Sequence, residues 1–163
     1  MKIVTLVLFG ALLIPPRAEA ADIQQVHASG KHVTLVMTGG DSRKVRERYA
    51  VRDARVAPDG MASAWLLADI VLEEPAGEVG ASTLVVYRKG KRRTLPCGQL
   101  IREYWFVENG RKIAYDCGGR HFAGNEVLFD IRTLKEIARF HQTDVATNKR
   151  PAWSATSADS PEK

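Results

Sequence analysis

This sequence predicts an all-β fold of antiparallel hairpins repeated in blade-like units, and three observations carry the prediction. Strong turn signals recur along the chain: Ser29-Gly30, Gly39-Gly40, Pro58-Asp59-Gly60, Lys89-Gly90, Glu108-Asn109-Gly110 and Gly118-Gly119. Between them lie short runs rich in Val, Ile, Tyr, Phe, Trp and Thr, the residues that favour a pleated, half-buried surface. Two segments also repeat. VRDARVAPDGMASAW (51–65) matches IREYWFVENGRKIAY (101–115) at an offset of 50, with Val56 on Phe106, Gly60 on Gly110 and Trp65 on Tyr115.

Taken in chain order, the first element is a leader. Lys2 precedes an apolar run from Ile3 to Ile14, then two prolines and Ala18-Glu19-Ala20. This order is that of a secretory signal peptide with an A-x-A cleavage site, so residues 1–20 are expected to be removed. The apolar run is shorter than the roughly 20 residues a membrane span needs. The remainder is one domain in size. It keeps 22 basic and 18 acidic residues, a mild excess that favours anionic surfaces without naming a partner.

The β-repeat domain is expected over 21–142. A weak first unit, IQQVHASGKHVTLVM followed by GGDSRKVRERY, precedes the two matching ones. In those, TLVVYRKGKRRTL matches EVLFDIRTLKEIARF with Tyr87 on Phe129, and the offset has fallen to 42. The second unit therefore carries about eight extra residues, placed in Asp69–Gly80. Each full unit reads as two hairpins, and units that cannot bury their own faces are expected to stack.

The segments Ala57-Pro58-Asp59-Gly60 and Asp130-Ile131-Arg132-Thr133-Leu134-Lys135 resemble the hairpin turns of TolB- and WD40-like β-propeller blades, over roughly 51–141. The resemblance implies blade-like sheets. Leu134 departs from the pattern, standing where such turns often have Gly. Two and a half blades are too few to close a ring, which takes at least four, so a partial, open arrangement is expected. The chain is also similar to small secreted bacterial proteins, some of which end in a Pro-x-Trp like Pro151-Ala152-Trp153.

At the C-terminal end, RTLKEIARFHQ places Leu134, Ile137, Ala138 and His141 at helical spacing, so a short helix competes with a strand there. The tail, 143–163, is rich in Ala, Ser, Thr and Asp. It is expected to be flexible apart from docking of Trp153.

Cys97 and Cys117 are the two cysteines of the chain. Export favours a disulfide between them, with free thiols as the alternative. The hairpin they bracket admits two registers. A two-residue Asn109-Gly110 turn sets Glu103 opposite Asp116, two like charges. A three-residue loop with Gly110 in a bulge sets Arg102 opposite Asp116, and this register is preferred. Ile101 then faces Cys117, and the chain must fold back through Gly98 for Cys97 to reach it.

Catalytic signatures are sparse. No G-x-S-x-G, H-E-x-x-H, P-loop or dinucleotide fingerprint is present, so no cofactor is expected. His27 and His32 lack a third ligand at a recognisable spacing, so no metal is expected. The loop DCGGRHFAGNE (116–126) offers Arg120, His121 and Phe122 as binding candidates. The run RKGKRR (88–93) offers Lys89, Lys91, Arg92 and Arg93 as an anion-binding hairpin tip. An exported chain without an aromatic platform beside that run is not expected to bind nucleic acid.

The expectation is therefore a periplasmic or secreted, non-catalytic interaction protein. It would contact another protein or an anionic envelope component, with no stable membrane span after leader removal. The alternative is a small secreted hydrolase using the 116–126 loop.

Overall fold

The computed structural model of the chain describes residues 22–72 and 77–157. The expected leader lies outside the described residues. The fold is all-β, with four antiparallel sheets, none of them closed into a barrel. The first sheet holds β1 (Ile23–Ser29), β2 (His32–Met37) and β3 (Ser42–Arg46). The second runs in the order β4 (Ala50–Val56), β5 (Ala62–Ala68), β8 (Thr83–Arg88) and β9 (Lys91–Pro96). The third is a meander of β10 (Leu100–Val107), β11 (Lys112–Gly118), β12 (Asn125–Asp130) and β13 (Glu136–His141). The segment read as an insertion forms a small separate hairpin, β6 (Ile70–Val71) and β7 (Val79–Gly80).

The repeat maps onto the sheets. β4 and β5 precede β10 and β11 by the same 50 residues at both ends of β5 and β11. The three larger sheets stack face to face, with the second in the middle. All seven residues of β5, ASAWLLA, are buried. Because side chains alternate across a strand, Ala62, Ala64 and Leu66 point into the layer shared with the third sheet, beside Leu84, Val86, Tyr104, Ile113, Tyr115 and Val127. Trp65 and Leu67 point the other way, to Val33, Leu35, Val85 and Tyr87. A strand buried on both faces reads as a continuous apolar run, as this one does.

The β10–β11 hairpin corrects the preferred register. Glu103 pairs with Asp116, Tyr104 with Tyr115 and Val107 with Lys112, as a two-residue Asn109-Gly110 turn demands. Asn109 and Gly110 have φ of 54° and 86°, and the Arg111 N–H donates to the Glu108 carbonyl at 3.3 Å. A bulge between Ile101 and Glu103 then restores the pairing of Ile101 with Cys117. The like charges are tolerated because each has its own cation. The Arg102 guanidinium reaches Asp116 at 2.7 Å, and Arg55 stands 3.9 Å from Glu103. The bulge also shifts the pleat, so that Ile101, Tyr104 and Phe106 all face the core. β4 carries the same irregularity between Arg52 and Arg55, and it turns Val51, Ala54 and Val56 toward the first sheet.

Gly60 and Gly110, equivalent in the repeat, show how the turns stack. Each has a positive φ, and each turn leans on the preceding unit. A Cβ on Gly60 would lie 3.2 Å from Asp22 Cβ, and one on Gly110 would lie 2.8 Å from an Asp59 oxygen.

Cys97 and Cys117 form a disulfide, with Cα atoms 5.8 Å apart. Cys97 follows β9 and Cys117 lies in β11, so the bond staples the second sheet to the third within their shared core.

At the C-terminal end the strand prevails over the competing helix, and the segment that follows is more ordered than expected over its described residues. Residues 136–141 form β13 and not a helix, because each residue from Ala138 to His141 finds a partner on β12. Residues 143–157 are not a loose tail. They cover the far face of the third sheet, where Trp153 and Ala155 pack on Trp105, Ala114 and Leu128. The Trp105 indole N–H donates to the Trp153 carbonyl at 2.7 Å, and Ser154 is fully buried.

Candidate anion-binding cleft

β8 and β9 meet at the two-residue turn Lys89-Gly90, with φ of 49° and 75°. The ladder pairs Val86 with Arg93, Tyr87 with Arg92 and Arg88 with Lys91. Directly paired residues share a face and neighbours along a strand alternate. Val86, Arg88, Lys91 and Arg93 therefore face the third sheet, while Tyr87 and Arg92 face the first. There the turn after β12 approaches, and Arg132 and Leu134 complete a cleft of about 200 Å³. Its lining is Arg88, Lys89, Lys91, Arg93 and Arg132 around an apolar floor of Val86, Ile131 and Leu134, with no carboxylate among them. The Arg88 Nε is buried and has no hydrogen-bond partner among the described residues.

Arg92 leaves this cluster. Its Nε and Nη2 donate to the two oxygens of Glu47 at 2.8 and 2.7 Å, and the Trp65 indole N–H donates to the same carboxylate at 3.0 Å. The Glu47 side chain is 2 % exposed, so this contact is a structural tie between the first and second sheets. The expected hairpin tip thus divides by face: Lys89, Lys91 and Arg93 border the cleft, and Arg92 serves the core.

The turn that supplies Arg132 is tied by its own hydrogen bonds. Asp130 Oδ1 accepts from the Thr133 N–H at 2.7 Å and hydroxyl at 2.8 Å, and the Leu134 N–H donates to the Asp130 carbonyl at 2.7 Å. The bonds from Thr133, assisted by the Arg132 charge, hold the Asp130 carboxyl below the usual carboxylate range. Leu134 has φ of 54°, the left-handed region that glycine usually takes. The sequence shows Leu134 as a departure from the turn pattern, but nothing in it joins Leu134 or Arg132 to the basic run that begins at Arg88. The signal available was the strand period, which separates Arg92 from its neighbours; the approach of the third sheet is long-range.

The 116–126 loop lies elsewhere. Arg102 organises it, donating to the carbonyls of Gly119 and Phe122, to Asp116 and to Gln142 Oε1. Gln142 in turn accepts from the Gly124 N–H and donates to Asp116 and to the buried Glu126. Arg120 pairs with Glu78 of the small hairpin and borders a second cleft with Arg52, Asp53 and Arg102. His121 is exposed, and the Phe122 side chain is exposed as well, at 76 %. The three candidates are therefore not drawn into one site. Among the described residues no three His, Cys, Asp or Glu side chains are grouped to hold a metal ion. No helix of the described residues is long and apolar enough to cross a membrane.

Neither a family model nor a curated protein matches the chain.

Proposed function

We propose that this protein is an exported, non-catalytic interaction protein that holds an anionic envelope component at the cleft between its second and third sheets. The observation that carries the reading is the convergence of Arg88, Lys89, Lys91, Arg93 and Arg132 on one cleft without a lining carboxylate. Clustered like charges repel one another, and an anion removes that penalty on binding. The leader pattern in the sequence and the disulfide are both compatible with an oxidising compartment. The hydrolase alternative has less support. His121 stands exposed, and no hydroxyl, thiol or carboxylate is hydrogen-bonded to it among the described residues.

The test is co-sedimentation with vesicles of phosphatidylcholine carrying phosphatidylglycerol, compared with phosphatidylcholine alone. The protein should sediment with the anionic vesicles at low salt and be released as ionic strength rises. Lys89→Gln, Lys91→Gln, Arg93→Gln and Arg132→Gln combined should abolish that binding without lowering thermal stability. Equal binding to both vesicles, or undiminished binding by the combined variant, would count against the reading.

A further inference from the structure

We infer that the cleft is built for a phosphate-type oxyanion joined to a short apolar group, rather than for a bare anion; this rests on the anion-binding reading above. A bare inorganic anion gains nothing from an apolar floor, and this cleft sets its cationic side chains beside one. Its floor is Val86 and Ile131, which belong to the core shared by the second and third sheets, and Leu134, which packs against that core.

Leu134 carries the argument. The turn's own bonds, from Thr133 to Asp130 and from the Leu134 N–H to the Asp130 carbonyl, use no part of the leucine side chain. Glycine would satisfy the same backbone at φ of 54° with less strain. The leucine side chain is thus kept against a conformational cost, and it lines the cleft. Strain of this kind is held where surrounding structure or function demands it. Arg88 lines the cleft too, and its Nε is buried without a partner among the described residues. A volume of about 200 Å³ is below the usual range for drug-sized ligands and suits one oxyanion with a few carbons.

The experiment is titration calorimetry of the protein, disulfide intact, with inorganic phosphate, with butyl phosphate and with phosphatidylcholine vesicles containing phosphatidic acid. Butyl phosphate should bind about tenfold or more tighter than inorganic phosphate, the effect of burying about two methylene groups. Leu134→Asn, which tolerates the left-handed backbone, should erase that preference and leave inorganic phosphate within about twofold, as the rim is untouched. Leu134→Gly serves as a second variant with no backbone penalty. Arg93→Gln with Arg132→Gln should weaken both soluble ligands alike. Tighter binding to the vesicles than to butyl phosphate would assign the ligand to a lipid surface, and the reverse would assign it to a soluble phosphate ester; either upholds the inference. Equal affinity for phosphate and butyl phosphate, or a preference that survives both Leu134 variants, would overturn it while leaving the anion-binding reading in place. Binding of neither phosphate would remove that reading itself.

Discussion

Tyr104 and Arg92 show how single polar side chains hold the stack. The Tyr104 ring is fully buried, and its one O–H proton is shared between the carbonyls of Asp53 at 2.5 Å and Ala64 at 2.8 Å. Arg55 lies over the ring, 4.9 Å from its centre. Burial pushes the phenol well above its ordinary value of 10.0, and burial raises Tyr115 in the same direction. A phenol raised on folding contributes stability that is complete below pH 10 and is lost as pH rises through its folded value. Unfolding free energy should therefore fall above pH 10, and Tyr104→Phe should flatten that fall. At neutral pH the same variant should cost about 1–3 kcal/mol, because two buried carbonyls lose a donor. Denaturant titrations at a series of pH values check both effects. Arg92→Gln should also destabilise, by about 2–3 kcal/mol, since it strands the buried Glu47 carboxylate. The cost stays below that of a fully buried pair because Arg92 is partly exposed. Arg93→Gln, one residue away on the other face, should shift a thermal melt little.

Within the elements, the glycines of the 116–126 loop have a packing reason. In the structure a Cβ on Gly118 would stand 2.6 Å from the Gly124 Cα, and one on Gly124 would stand 2.5 Å from the Cys117 carbonyl. The ends of β11 and β12 approach too closely there for any side chain. Gly118→Ala and Gly124→Ala should each lower stability by about 1–3 kcal/mol, the usual cost of overpacking. Gly119→Ala meets only the movable Phe122 ring and should stay within about 0.5 kcal/mol in the same unfolding assay. The bulges of β4 and β10 are a second element-level device. They place Ala54 and Tyr104 on core faces that strict alternation would have turned away.

Across the whole molecule, three stacked sheets need an end to the stack. On one side the outward face of the first sheet is polar: His27 pairs with Thr34, which pairs with Lys44, and His32 pairs with Arg46. On the other side the C-terminal segment covers Trp105 and Leu128. Polar or covered ends are what a repeat stack requires when no further repeat follows. The Cys97–Cys117 bond crosses between the last two sheets and closes a loop of 20 residues. Replacing both cysteines by Ser should lower stability by about 2–4 kcal/mol. Thiol labelling of the denatured, unreduced protein should find no reactive groups. The anion affinity of the cleft should survive wherever the double variant is folded, because neither cysteine lines it.

Much of the architecture was already legible in local residue order. Turn residues, strand-forming runs and the matching of 51–65 with 101–115 are local or self-referential signals, and they marked the hairpins, the repeat and the inserted 69–80 segment. The cysteine pairing also followed, from the count of two and the expected compartment. The β10–β11 register did not, because the repulsion between Glu103 and Asp116 was judged within an isolated hairpin. Arg102 in a bulge and Arg55 from the neighbouring sheet offset it. Docking of Trp153 was expected, but the order of the segment around it was not: its composition is that of a loose segment, yet Ala155 packs on the third sheet and Thr156 donates to Glu126. The cleft belongs to this class too. Period-2 alternation could separate Arg92 from Arg93, but only sheet stacking brought Arg132 and Leu134 beside them. Turns and strand-forming runs are decided by neighbours along the chain, whereas charge compensation and clefts depend on which surfaces meet, and that is settled by tertiary packing.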